Sequence, residues 1–222
     1  WDLGKFKGAS TRIGTEMKSV GEVMAIGRTF PEVLQKALRM LDIGVRGLDP
    51  DVFQFDDIDD QLRHPTPYRP FAIARALRDG MSVDAIHDLT KIDPWFLSTL
   101  APVVAMHESL KGKRLPIDAD ALREAKELGF SDSQIGVLTQ TPYRAVRALR
   151  KEHGIVPHLA QIDTLAAEFP AETNYLYTSY HAKHDDIVPS GRKKILVLGS
   201  GAYRIGSSVE FDWCCVNAIQ AA

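Results

Sequence analysis

Gly80-Met81-Ser82-Val83-Asp84-Ala85-Ile86-His87-Asp88-Leu89-Thr90, followed by Pro94, and Gly129-Phe130-Ser131-Asp132-Ser133-Gln134-Ile135-Gly136-Val137-Leu138-Thr139, followed by Pro142, are two copies of one pattern. In each copy a glycine stops one helix, a serine caps a short second helix, and a proline opens a longer third. Ile86 with Leu89, and Ile135 with Leu138, stand three apart and so share one helical face turned to a core. Ser131 followed by Gln134 has capping-box spacing.

Working outward, the same punctuation continues. Thr29 and Pro31 read as an N-cap with proline in the first turn. The helix they open carries Val33, Leu34, Ala37, Leu38 and Leu41 on one face. Asp49 to Thr66 reads as a polar loop rich in proline and aspartate. A helix from Tyr68 to Asp79 presents Ile73, Ala74 and Leu77 and stops at Gly80. Asp118 caps one more helix, which ends at Gly129. Short connections between about seven such helices predict an all-α domain.

The flanks have another texture. Residues 1–28 are rich in glycine, lysine and small side chains. Leu159 to Phe169 suits a helix, Asn174 to Tyr180 has the aromatic and threonine content of a strand, and His181 to Gly191 reads as a polar linker. Lys194-Ile195-Leu196-Val197-Leu198 suits a buried parallel strand. It leads through Gly199-Ser200-Gly201 and Arg204-Ile205-Gly206 into a helix carrying Val209, Trp213, Val216 and Ile219. Strand, glycine turn and helix in that order open a Rossmann-like unit.

Bulk properties narrow the function. Among 222 residues, 45% are hydrophobic and 25% charged, the balance of a globular protein of one or two domains. A net charge of −2 gives no electrostatic case for nucleic acid or an anionic membrane. The longest apolar run, Leu100 to Met106, falls far short of the roughly 20 residues that span a bilayer. Trp1-Asp2-Leu3-Gly4 reads as a cut or mature end rather than a leader. Cys214 and Cys215 are too few for a disulfide framework and read as two small buried thiols on a helix.

Each local motif has a plain structural reading beside its functional one. The glycines at 199, 201 and 206 could face an anion at a helix N-terminus, but their spacing is not the dinucleotide fingerprint, and a tight turn explains them equally. Arg144, Arg147 and Lys151, with Arg150 beside them, could face phosphates. The first copy's long helix, with Trp95, Phe96, Leu97, Val103, Val104 and Met106, is built for packing, which argues against a DNA reader. His181, His184, Asp185 and Asp186 could hold a metal, but in a polar linker they read as solvated. His153, beside Gly154, suits a helix C-terminus. No sequence context suggests a nucleophile and no complete active site is visible, so no catalytic or metal residue is assigned.

Two long segments resemble the large subunit of carbamoyl-phosphate synthetases. Met17-Lys18-Ser19-Val20-Gly21-Glu22-Val23-Met24-Ala25-Ile26-Gly27-Arg28-Thr29 is similar to the end of that family's first ATP-grasp half. Leu196-Val197-Leu198-Gly199-Ser200-Gly201-Ala202-Tyr203-Arg204-Ile205-Gly206-Ser207-Ser208-Val209-Glu210-Phe211-Asp212-Trp213-Cys214 is similar to the start of the second. Between them, Ile92-Asp93-Pro94-Trp95-Phe96-Leu97, Gly129-Phe130-Ser131-Asp132 and Ile162-Asp163-Thr164-Leu165-Ala166-Ala167-Glu168 resemble the oligomerisation domain and its exit segment. Ala202-Tyr203, Ser207-Ser208 and Trp213 replace residues common in bacterial members and resemble the eukaryotic branch.

The resemblance implies a mainly α segment. Residues 1–28 would be the edge of the first half, 29–192 the helical oligomerisation domain and linker, and 193–222 the first βα unit of a Rossmann-like pre-ATP-grasp domain. The family is an ATP-dependent ligase making carbamoyl phosphate from bicarbonate, ammonia and two ATP, for arginine, pyrimidine or urea synthesis. ATP, Mg2+ or Mn2+, and K+ would be held outside this segment, which alone should be inactive. By match, Gly199, Gly201, Arg204, Gly206, Ser207, Ser208 and Glu210 would border the passage for unstable intermediates. Implied partners are further copies of the chain and a glutaminase, separate or fused; no nucleic acid or membrane is implied. The implied location is cytoplasmic or mitochondrial. The competing reading is a non-catalytic helical interaction module.

Overall fold

The computed structural model describes residues 6–10, 12–16, 21–172, 175–188, 190–197, 203–204 and 209–222. Along them run β1 (Gly21–Glu22), α1 (Phe30–Met40), α2 (Ile58–Arg63), α3 (Arg69–Arg78), α4 (Val83–Thr90), α5 (Pro94–Leu110), α6 (Ala119–Glu127), α7 (Asp132–Leu138), α8 (Tyr143–Glu152), β2 (His158–Gln161), β3 (Leu176–Ser179), β4 (Tyr203–Arg204) and α9 (Val209–Ala221). The seven helices expected of the body are all present, and α2 is an eighth. It lies inside the stretch expected to be a polar loop. Asp57 is not merely a loop residue there: its carboxylate accepts from Asp60 N–H and starts the helix, and Leu62 anchors it at 0% exposure.

The repeated sequence is a repeated structure, and a larger one than two helices. Ser82 and Ser131 have extended backbone and accept from the amides of Ala85 and Gln134. Thr90 and Thr139 each donate a hydroxyl to the carbonyl four residues back, at 2.7 Å to Ile86 and 2.8 Å to Ile135. Lys91 and Gln140 both turn the chain in the left-handed region, at φ 59° and 52°. Upstream, Gly80 and Gly129 sit at φ 89° and 88°, while Met81 N–H reaches Ala76 O at 2.9 Å and Phe130 N–H reaches Ala125 O at 3.0 Å. That six-residue backward bond over a left-handed glycine is a Schellman ending. The unit is therefore three helices, α3–α4–α5 and then α6–α7–α8.

These units bury their apolar faces in one core. Phe71, Ile86, Leu97, Leu110, Leu122, Phe130, Ile135 and Ile155 are all essentially inaccessible. Helix α3 packs on α2 and α5, α4 on α2 and α5, and α7 on α8. The capping box is only half formed: Ser131 Oγ accepts from Gln134 N–H at 3.0 Å, but the Gln134 side chain turns inward, 4% exposed, over Gly47. Helix α1 also departs from expectation. Its deepest residues are Glu32, Gln35 and Leu38, so the buried stripe is partly polar.

The flanks are corrected more. Leu159 to Phe169 is not a helix. Its start belongs to β2, which pairs antiparallel with β3, His158 opposite Ser179 and Gln161 opposite Leu176. After β2, Asp163 closes a turn by accepting from Leu165 N–H at 2.8 Å and Ala167 N–H at 2.6 Å. The expected strand at 174–180 is β3. Residues 194–197 form no strand, and Ile195 and Leu196 are 72% and 84% exposed. A parallel strand needs neighbours, and among the described residues none pairs with this run; the strand nearby is β4, antiparallel to β1 with Gly21 opposite Arg204. The cysteines were expected to be buried, but Cys214 is exposed and Cys215 half-buried, because α9 turns much of its surface outward.

Candidate functional site

Where α1 meets the incoming and outgoing chain, one ion pair collects backbone from three places. Thr29 caps α1, and Glu32 and Lys36 follow one helical turn apart on its flank. Lys36 Nζ donates to Glu32 Oε1 at 2.8 Å, to Ile26 O at 2.7 Å and to Thr178 O at 2.8 Å. An ammonium has three donors, so this one is saturated. Glu32, 3% exposed, uses its other oxygen to accept from Arg28 N–H at 2.8 Å and from the Ser179 hydroxyl at 3.1 Å. Burial is tolerable because every polar atom has a partner. Gly27 permits the approach, since a Cβ there would stand 2.7 Å from the Glu32 carboxylate. His181 completes the knot by donating from Nε2 to Glu127 O at 2.9 Å, while its own amide reaches Ser179 Oγ at 3.1 Å.

A second ion cluster lies across a cavity of about 290 Å³ that Glu32, Lys36 and Arg39 also line. Lys126, 5% exposed, donates to Phe130 O at 2.6 Å and to Asp132 Oδ1 at 2.8 Å. Arg150 Nε faces both oxygens of Asp132 at 3.0 Å. The Tyr180 ring lies 5.0 Å from the Lys126 ammonium and 5.9 Å from the Arg150 guanidinium. Burial lowers the Lys126 pKa to about 8, against the pull of Asp132. For Asp132, burial acts upward, but Lys126 and Arg150 outweigh it and hold the carboxyl below the ordinary range. Burial also lowers Arg39, whose Nη1 donates to Gly129 O at 2.8 Å.

Asp49, Asp51 and His107 are the third cluster, with ligand-type atoms within 4.8 Å of one another. Asp51 is already paired with Arg78 and Lys111. His107 Nδ1 faces Glu108 at 3.0 Å, while Nε2 lies 3.3 Å from Asp49 Oδ1 without the alignment of a hydrogen bond. Burial acts to lower the His107 pKa, yet Asp49 and Glu108 together hold it above the ordinary value. A divalent ion would have to displace cations already seated on these carboxylates, so the donor set does not fit Mg2+ carrying a nucleotide.

The residues singled out in the sequence fall unevenly. Gly199, Gly201, Gly206, Ser207 and Ser208 lie outside the described residues. Arg204 has a backbone place in β4 opposite Gly21, and Glu210 is the second residue of α9. Arg144, Arg147 and Lys151 are exposed along α8, whereas Arg150 is buried on Asp132 and is not part of their stripe. Residues 181–186 are no slack linker: Asp185 and Asp186 accept from the amides of Leu159 and Gln161 at 2.7 and 2.9 Å, pinning β2. Sequence reasoning missed Glu32 and Lys36, whose only signal was a Glu-to-Lys spacing of four that reads as a solvated helix face.

Comparison with known proteins agrees with this architecture. The profile of the carbamoyl-phosphate synthetase large chain oligomerisation domain matches residues 22–154, and that of the carbamoyl phosphate synthase preATP-grasp domain matches 191–222. The mitochondrial arginine-specific carbamoyl phosphate synthase large chain of Schizosaccharomyces pombe is 51% identical over 98% of this chain and 19% of its own length. Its Neurospora crassa counterpart is 49% identical over 100% of this chain and 19% of its own. Multifunctional protein URA2 of Saccharomyces cerevisiae is 49% identical over 99% of this chain and 10% of its own. The chain thus spans between a tenth and a fifth of the length of these relatives.

Proposed function

The chain belongs to the family of carbamoyl-phosphate synthetase large chains, of which it carries the oligomerisation domain and the start of a preATP-grasp domain, and from that premise we propose that it is the joint of such a synthetase. In this reading the full-length protein uses one ATP to phosphorylate bicarbonate. Ammonia displaces phosphate from the carboxyphosphate to give carbamate, and a second ATP phosphorylates the carbamate. Ammonia comes from a glutaminase, separate or fused. ATP, Mg2+ or Mn2+, and K+ are bound by ATP-grasp cores beyond this segment, and the segment alone has no ligase activity. The whole enzyme resides in the cytoplasm or mitochondrion. No helix among the described residues is long and apolar enough to cross a membrane.

The observation that carries the reading is the order of parts: a helical body, entered by one flank and left by another, with both flanks tied to the same helix by Glu32 and Lys36. Gly199, Gly201, Arg204, Gly206, Ser207, Ser208 and Glu210 are proposed to border the passage, because small and polar residues suit a channel for carbamate. The oligomerisation domain implies self-association. Trp95 and Phe96, 56% and 41% exposed and stacked edge-on 5.0 Å apart, are proposed as apolar anchors of that contact.

Bicarbonate-dependent ATP hydrolysis by the full-length protein tests the reading, with this segment alone as control. Hydrolysis by the former and none by the latter is expected. No hydrolysis by a well-folded full-length protein, with or without ammonia, would leave a helical interaction module in its place.

A further inference from the structure

We propose that Glu32 and Lys36 form a positioning pair that holds the two ATP-using halves in alignment, so that carbamate passes from the first to the second without loss. The inference rests on the function proposed above and deepens it.

Carbamate that reaches water takes up a proton and breaks its C–N bond to give ammonia and carbon dioxide. Delivery therefore needs a passage that stays closed, and a passage spanning two bodies stays closed only while they keep their relative placement. In sequence, the incoming segment at 26–28 and the outgoing one at 178–179 are separated by the entire helical body. In space they meet on one turn of α1. Lys36 draws in Ile26 O and Thr178 O; Glu32 draws in Arg28 N–H and the Ser179 hydroxyl. Each ion thus holds one group from each flank, and the ions hold each other at 2.8 Å.

The chemistry suits a tie better than a site. Charged hydrogen bonds are short and directional, and among buried surroundings they tolerate little play. Lys36 has no donor left for a ligand, and Glu32 is too enclosed to meet one. Among the described residues the flanks also meet where β1 pairs with β4, and His181 reaches Glu127 O on α6 and Thr29; Glu32 and Lys36 differ in anchoring both flanks to α1 itself. Neither ion touches a reacting group, so the role is positioning and not catalysis.

The test uses the full-length protein with Glu32→Gln and, separately, Ser179→Ala. Glutamine keeps the shape but must set an amide N–H against Lys36, or against Arg28 N–H. Alanine removes only the bond from Glu32 to the outgoing segment, and it guards against the case in which E32Q fails to fold. Three quantities are read: bicarbonate-dependent ATP hydrolysis by the first half, ATP formation from ADP and carbamoyl phosphate by the second, and ATP spent per carbamoyl phosphate made. The expected result is that both half-reactions persist while ATP spent per product rises about twofold or more, as misaligned molecules leak carbamate. A purely structural role would lower all activities together and leave the ratio at two. An unchanged ratio in both variants, with half-reactions intact or falling in parallel, would overturn the inference. If the unsubstituted protein lacks bicarbonate-dependent hydrolysis, the proposed function fails and the inference with it, which is a different and distinguishable outcome.

Discussion

Asp132 shows at the residue scale how one buried carboxylate decides the behaviour of its surroundings. It stands between Lys126 and Arg150, both under 10% exposed. Replacing it by asparagine leaves two buried cations side by side without a counter-charge, which costs about 3–5 kcal/mol where a buried pair is broken from one side. Asp132→Asn should therefore lower unfolding free energy by several times the effect of an ordinary surface change, as urea denaturation would measure. The loss should depend on pH. Lys126 has a folded pKa of about 8, below its unfolded value, so the unfolded chain binds more protons above pH 8 and the lysine's burial penalty fades as pH rises. Without Asp132 to raise it, that pKa falls further. The gap between D132N and the unsubstituted protein should narrow as pH rises from neutral to about 8, where the variant's lysine has already discharged and the parent's is discharging, and stay level from there toward pH 10; a gap that widens with pH would contradict this electrostatic account.

At the scale of elements, the two three-helix units supply their own control. Gly80 and Gly129 end α3 and α6 with the same left-handed φ and the same backward bond. Their surroundings differ. A Cβ at Gly80 meets nothing, whereas one at Gly129 stands 2.9 Å from Gln35 Cβ and 3.0 Å from Glu32 Cα. Gly80→Ala should cost about 1 kcal/mol, the strain of an alanine in that region. Gly129→Ala carries the same strain plus a clash with the backbone of α1, and overpacking adds about 1–3 kcal/mol. Thermal or urea denaturation of the two variants should rank them in that order. Equal losses would mean that α1 yields freely to α6, against the fixed position that Glu32 and Arg39 give it. The repeat itself was legible from Gly, Ser, Ile, Thr and Pro because each acts locally. Helix α2 was not, since its six residues hold one fully buried apolar side chain and no periodic face.

For the whole molecule, the division among the described residues is between a body with a core and flanks whose apolar side chains are largely exposed. Among the described residues, the buried apolar ones lie almost wholly between Leu38 and Ile155. Beyond them Val188, Leu196, Trp213 and Ile219 are each more than 60% exposed. Unsupported backbone of this kind opens readily and is cut first by proteases. Limited proteolysis of this segment should remove residues up to the exposed Met24 and after 186 early and leave 30–155 within the persistent core. Ends that resist as long as the body would show that the flanks pack onto it far better than their exposure indicates.

The sequence by itself determined the helical body, its caps, its internal repeat and the resemblance to carbamoyl-phosphate synthetases. Serine, threonine and glycine at helix ends act on backbone a few residues away, and apolar spacing follows the helix period, so these features need no distant partner to be read. Tertiary structure alone decided the rest. Glu32 to Lys36 looks like a solvated surface pair until β3 brings Thr178 and Ser179 onto α1. Leu159 to Gln161 looks helical until a strand at 176–179 offers its edge. Residues 194–197 have the composition of a buried strand but lack a paired neighbour among the described residues. In the first two cases the deciding partner is far away in the chain, and in the third no partner is present among the described residues; the free energy of a charge or a strand edge is set by what reaches it, not by the residues on either side.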